Sequence, residues 1–153
     1  MFYNTGNLDD AATENSILDT TVAEKYLARL SKYPLPLDVA LPIFRWGIVF
    51  RDGQFFKLIN GLDSARLVDQ NLFYGKTANR FAVKKATFLE GHFLHEGDEI
   101  RLETAAPAAL EWAARQIRGI GDLKKTVAFF ALDSSSARAF PPLFLEKIIR
   151  TAR

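Results

Sequence analysis

Apolar positions along the chain change their period several times, and each change predicts an element. Ala23, Tyr26, Leu27 and Leu30 recur at helical spacing behind Thr21 and Glu24, which have the separation of a capping box, so a helix is expected from about Val22 to Lys32, ended by Pro34. From Leu37 to Phe50 the apolar residues run almost without interruption. From Gly53 to Glu103 they come in short bursts divided by turn residues, and after Pro107 the helical spacing returns at Leu110, Ala113, Ala114 and Ile117. Thr126 to Leu132 is again continuous, and Leu145, Ile148, Ile149 and Ala152 form a last helical stripe behind Pro141-Pro142.

The stretch Tyr33 to Arg51, YPLPLDVALPIFRWGIVFR, organises this pattern. Pro34, Pro36 and Pro42 bracket its first apolar run. Proline cannot donate to a sheet ladder and so marks where a strand starts and stops. The run has no polar alternation, which predicts a strand buried on both faces, as parallel strands are, and Thr126 to Leu132 reads the same way. Phe44-Arg45-Trp46 then lies at the strand's carboxyl end, where α/β folds bind ligands.

Gly47 to Phe50 and Phe55 to Ile59, joined by Arg51-Asp52-Gly53-Gln54, predict a hairpin with an Asp-Gly turn. Asp63 or Ser64 can cap a short helix to about Gln70. Phe73 to Lys76, Arg80 to Val83, Ala86 to Leu89 and Glu99 to Glu103 are further extended pieces, with Glu96-Gly97-Asp98 as a hairpin-type turn before the last. Gly119 and Gly121 close the helix that Pro107 opens, and Asp133-Ser134-Ser135-Ser136 reads as a polar loop. The expected fold is α/β: a partial (β/α) barrel-like parallel sheet or a small open sheet, in a single domain over residues 1–153, with a β-rich insertion at about 53–103.

Composition narrows the classes. The length suits one domain, and 48% hydrophobic with 25% charged residues is ordinary for a globular chain. Twenty basic against 18 acidic residues, with the basic ones dispersed, give no footprint for nucleic acid. There is no cysteine, which excludes disulfides and thiolate chemistry, and no apolar run reaches the ~20 residues of a membrane span. The start carries no secretory signal. Met1-Phe2-Tyr3 reads as the tail of a strand entering the turn Asn4-Thr5-Gly6-Asn7, so a front portion of the domain is expected to be missing.

At YPLPLDVALPIFRWGIVFR, with FYNTGNLDD and SILD before it, LEGHFLHEGDEIRLE behind it and TVAFFALDS near the end, the chain resembles the C-terminal part of an uncharacterised bacterial TIM-barrel family. That family is similar in layout to glycoside hydrolases. The resemblance implies that Met1 to Asn4, Asp38 to Phe44 and Thr126 to Asp133 are barrel strands; together with Asn4, Phe44, Trp46 and Asp133 at predicted strand ends it leads to the expectation of a protein that binds or acts on carbohydrate, and no cofactor is expected. Members of that family also carry a front half with further acidic and aromatic strand-end residues, typically behind an export or lipoprotein signal, and are exported or envelope-associated; the resemblance leaves the localisation of this chain open. This sequence contains no match to that half, so a front half is expected to be missing and catalysis is left open. The alternative is a non-catalytic barrel fragment that associates with itself or a partner through uncovered sheet edges.

The candidate ligand-binding residues are Tyr3, Asn4, Phe44, Arg45, Trp46 and Asp133. Phe44 and Trp46 can stack on a sugar ring or pack in the core, and Arg45 can hold an anion or neutralise a neighbouring acid. Asp133 is a strand-end acid of the type that glycoside hydrolysis uses in pairs ~5 to 9.5 Å apart, or a loop-capping turn residue before the last helix. His92 and His95 lie three apart on an extended segment and so face opposite ways, which works against a shared metal. Gly119-Ile120-Gly121 precedes a strand, the reverse of a nucleotide-binding loop, and Ser134 to Ser136 lack the glycine-flanked elbow of a serine hydrolase.

Overall fold

A computed structural model describes residues 5–30, 34–120, 124–131 and 133–153. Along the chain the elements are α1 (Thr20–Leu30), β1 (Leu37–Pro42), β2 (Arg45–Arg51), β3 (Gln54–Asn60), a 3-10 turn (Ser64–Leu67), β4 (Phe73–Gly75), β5 (Arg80–Val83), β6 (Thr87–Leu89), β7 (His92–Leu94), β8 (Glu99–Thr104), α2 (Pro107–Gly119), β9 (Lys124–Phe130), α3 (Ser134–Ala139) and α4 (Pro142–Ala152). The fold is mixed α/β. Two compact units share the chain. The first comprises Asn15–Phe44 and Ala105–Arg153 with the described residues up to Gly6, and the second comprises Asn7–Glu14 and Arg45–Thr104.

In the first unit β1 and β9 pair in parallel, with Val39 opposite Val127, Leu41 opposite Phe129 and Pro42 opposite Phe130. Pro42 has no N–H to give, and the ladder is carried on by the Ile43 N–H, which donates to the Phe130 carbonyl at 2.7 Å. A parallel pair needs a crossover, and α2 supplies it. Its stripe Leu110, Ala113, Ala114 and Ile117 is buried as the spacing predicts, and it packs against β1, α1 and α4. Lys147 on α4 bridges to Glu111 on α2 at 2.6 Å.

Helix α1 starts two residues earlier than the Thr21/Glu24 spacing suggests. Asp19 is its cap, its side chain accepting the N–H groups of Thr21 at 2.9 Å and Val22 at 3.2 Å. Residues 31–33, where that helix was expected to end, and the expected opening strand through Asn4 lie outside the described residues. Ser134 to Ser136 are helical rather than a loop, because Asp133 caps α3.

The expectation that both parallel strands are buried on both faces needs correcting. Val39 and Leu41 are buried, but Asp38 on the opposite face of β1 is exposed, as are Thr126, Ala128 and Phe130 of β9. Helix packing covers one face only, and among the described residues no barrel closes.

The second unit is built on a five-stranded antiparallel sheet in the order β3-β2-β8-β5-β4. The turn from β2 to β3 falls at Asp52-Gly53, both with positive φ of 51° and 75°, as the Asp-Gly signal predicts. Glu96-Gly97-Asp98 does not make the hairpin expected of it. The hairpin is instead β6 with β7 around Glu90-Gly91, while the Asp98 carboxylate turns inward to accept the His95 N–H and the Arg51 guanidinium.

Alternation divides the two faces of this sheet. One face carries an apolar core of Val49, Ile59, Leu62, Leu67, Phe73, Val83, Leu89, Leu94 and Ile100. Leu62 lies so close to Gly47 that an added Cβ there would meet its Cδ2 at 2.3 Å, so this strand position requires glycine or a shift of Leu62.

The other face carries Trp46, Ile48, Phe50, Arg101 and Glu103 in register. Arg101 is fully buried. Its Nε donates to Glu103 Oε1 at 2.6 Å, and its terminal nitrogens donate to the carbonyls of Asp10 at 2.7 Å and Leu8 at 3.1 Å. Trp46 Nε1 donates to the other Glu103 oxygen at 2.9 Å. Arg80 and Asn79 reach the carbonyls of Thr13 and Glu14, so the Asn7–Glu14 segment is strapped down along its length.

Removing one member of a buried ion pair leaves the other desolvated, at about 3–5 kcal/mol. Arg101→Leu is expected to destabilise the second unit by about that amount in urea unfolding, and Arg101→Leu/Glu103→Leu to recover much of it. A single variant as stable as wild type would contradict this arrangement.

Candidate functional site

In the first unit the parallel register brings the carboxyl ends of β1 and β9 together, and with them two aromatic rings. Phe44 and Phe130 meet edge to face, centroids 5.9 Å apart at 82°. Phe130 is 46% exposed, a large apolar surface held at a strand end. Three residues on, Asp133 Oδ1 accepts the Ser136 N–H at 2.7 Å and the Asp133 carbonyl accepts the Ala137 N–H at 3.0 Å. That is the geometry of a helix cap. Tyr3 and Asn4 lie outside the described residues.

Arg45 and Trp46 belong to the second unit. Arg45 pairs with Asp63, and its carbonyl accepts the Gly61 N–H at 2.9 Å. The Asp63 carboxyl is held below the usual carboxylate range, first by the Ala65 N–H and, against the pull of burial, by Arg45 and Ser64. Trp46 is 7% exposed, with its indole N–H on Glu103. Of the six candidate residues, the structure therefore gathers Phe44 and Asp133 in the unit of the parallel pair and places Arg45 and Trp46 in the antiparallel one.

A concavity that sequence reasoning missed lies wholly within the second unit. It has a volume of about 640 Å³, and its lining includes Leu67, Val68, Gln70, Phe73, Phe81 and Lys84. Gly75 stands directly opposite Phe81 in the β4/β5 ladder. With no side chain at 75, the Phe81 ring is left part-open instead of covered by a cross-strand partner. Lys84 is fixed at the rim, its N–H on the Leu72 carbonyl at 2.7 Å and its ammonium on the Gln70 carbonyl at 2.8 Å. The signal in the sequence was a glycine in a short strand candidate, which acquires meaning only once the register is known.

Among the described residues no group of three or more histidine or acidic side chains is placed to hold a metal ion, and no helix is long and apolar enough to cross a membrane. The His95 ring packs on Phe93, centroids 5.4 Å apart, and Phe93 in turn lies 5.1 Å from Phe88. Compared with known proteins, the chain matches no family model, no curated protein and no solved structure.

Electrostatics in the second unit centre on Asp98, whose side chain is 2% exposed. Arg51 grips it with two bonds, Nε to Oδ1 at 2.8 Å and a terminal nitrogen to Oδ2 at 2.7 Å, while its guanidinium lies 3.8 Å over the Phe56 ring. Burial pushes the Asp98 carboxyl up, but the Arg51 hydrogen bonds, the His95 N–H and the nearby positive charge outweigh it, so the carboxyl titrates below its ordinary value.

A carboxyl with a depressed folded pKa stabilises the fold above its unfolded value of ~3.9, and that contribution is lost as pH falls through the folded value. Unfolding monitored from pH 7 to pH 2 is expected to show wild type losing stability below about pH 4. Asp98→Asn is expected to be weaker by about 2 kcal/mol at pH 7 and flatter toward acid. Parallel pH profiles for the two proteins would contradict the assignment.

Proposed function

We propose that the first unit is a stretch of a (β/α) barrel-like parallel sheet, similar in layout to glycoside hydrolases, and that the protein binds carbohydrate at the carboxyl ends of β1 and β9. The observation that carries this reading is the aromatic pair at those ends: Phe44 and Phe130 edge to face, with the Phe130 ring nearly half open. An exposed aromatic face is the usual partner for the C–H face of a pyranose, and the outlet of parallel strands is where α/β folds place their ligands. The β1-α2-β9 crossover, interrupted after β1 by the antiparallel unit, supports the barrel-like part of the reading.

The reading is one of binding. Glycoside hydrolysis calls for two carboxyl groups set ~5 to 9.5 Å apart, and the Asp133 carboxylate at this end is engaged with the Ser136 N–H as a cap. Self-association through the open face of β9, where Thr126, Ala128 and Phe130 are exposed, is a second reading.

One experiment addresses both. Polysaccharide pull-down and calorimetric titration are expected to give glycan binding that Phe130→Ala weakens about tenfold or more with no loss of fold. If copies of the chain instead cover this face, apparent glycan affinity falls as protein concentration rises. Absence of binding to any glycan at either concentration would overturn the carbohydrate reading.

A further inference from the structure

We propose that the cleft of the second unit binds a hexuronate residue of an acidic polysaccharide, the pyranose ring lying on Phe81 and its carboxylate on Lys84. The inference rests on the carbohydrate reading for the class of ligand and goes beyond it in naming a second site and an acidic sugar.

Size and shape come first. A volume of about 640 Å³ is within the range of small-ligand sites and accommodates a sugar ring with its neighbours. Leu67, Phe73 and Phe81 supply an apolar floor, and Phe73, Gly75 and Phe81 share one sheet face by alternation. Gly75 opposite Phe81 keeps the ring accessible. A Cβ at 75 would find its nearest neighbour, the Thr77 carbonyl oxygen, 3.9 Å away, so the space is open and packing does not require the glycine.

Charge then selects the ligand. Lys84 is the only charged residue in the lining, and no acid accompanies it. Its ammonium has one donor spent on the Gln70 carbonyl at 2.8 Å and two left, so the charge is held in place at the rim. The Gln70 side chain makes no hydrogen bond within the described protein and can serve sugar hydroxyls. An apolar floor, a pinned cation and a free amide together match a ring that carries one carboxylate and several hydroxyls.

The test is calorimetric titration of the full chain with oligogalacturonate and with a neutral galactose oligomer of equal length, on wild type, Lys84→Gln, Gly75→Val and Phe130→Ala. The expected result is a preference for the acidic oligomer that Lys84→Gln reduces about tenfold or more and Gly75→Val removes, since valine suits a strand and fills the space over Phe81. Circular dichroism and urea midpoints close to wild type in both cleft variants establish that they fold. Acidic-oligomer binding that ignores both cleft variants but falls with Phe130→Ala overturns the inference and leaves the strand-end reading standing. Binding sensitive to the cleft variants and indifferent to Phe130→Ala upholds the inference and removes the strand-end site. Equal affinity for the neutral and acidic oligomers also overturns it.

Discussion

The second unit depends on one buried cation. Arg101 sits in the central strand β8, fully out of water, on the sheet face that also carries Trp46, Ile48, Phe50 and Glu103. A guanidinium in that position requires acceptors for its donors, and it has three: the Glu103 carboxylate and the carbonyls of Leu8 and Asp10. Because two of those belong to the chain's early segment, satisfying the arginine fastens that segment to the sheet at Leu8 and Asp10, as Arg80 and Asn79 do at Thr13 and Glu14. Glu103 is then tied to Trp46 across the β2/β8 ladder, and the cluster becomes a scaffold. The opposite face carries the apolar core, and the buried Asp98 carboxylate is held by Arg51.

Both units hold elements that were legible in the sequence and elements that were not. Helix α2 and strands β1, β5 and β9 were legible because periodicity and proline placement act locally, and the Asp-Gly turn between β2 and β3 requires positive φ that few other residues adopt. The Asp19 cap, the β6/β7 hairpin and the inward turn of Asp98 were not legible. The cap and the hairpin are each decided by a competition among several good turn residues, and the inward turn of Asp98 is settled by Arg51, far along the chain. Arg101 shows the limit most clearly: nothing local in the sequence sets it apart from the other dispersed basic residues.

The candidate site divides in the same way. Phe44 and Asp133 could be placed at strand ends from sequence alone, since a strand end is a local property. Phe130 was read as part of a buried run and proves open, because the face it occupies is not covered by α2. Trp46 lies two residues beyond Phe44 and is enclosed on the Glu103 side of the antiparallel sheet. Lys84 with Phe81 and Gly75 could not be found without the register that sets glycine against phenylalanine.

A single account joins these points: buried ionic scaffolding on one sheet face of the second unit, and the proposed ligand contacts at the open ring of Phe130 in the first unit and the part-buried ring of Phe81 in the second. The most direct measurement is a titration of the full chain with oligogalacturonate followed by NMR. The account predicts shifts at Gly75, Phe81 and Lys84 while the Trp46 indole N–H, held on Glu103, stays in place. A Trp46 indole resonance that moves with ligand while those three do not would contradict it.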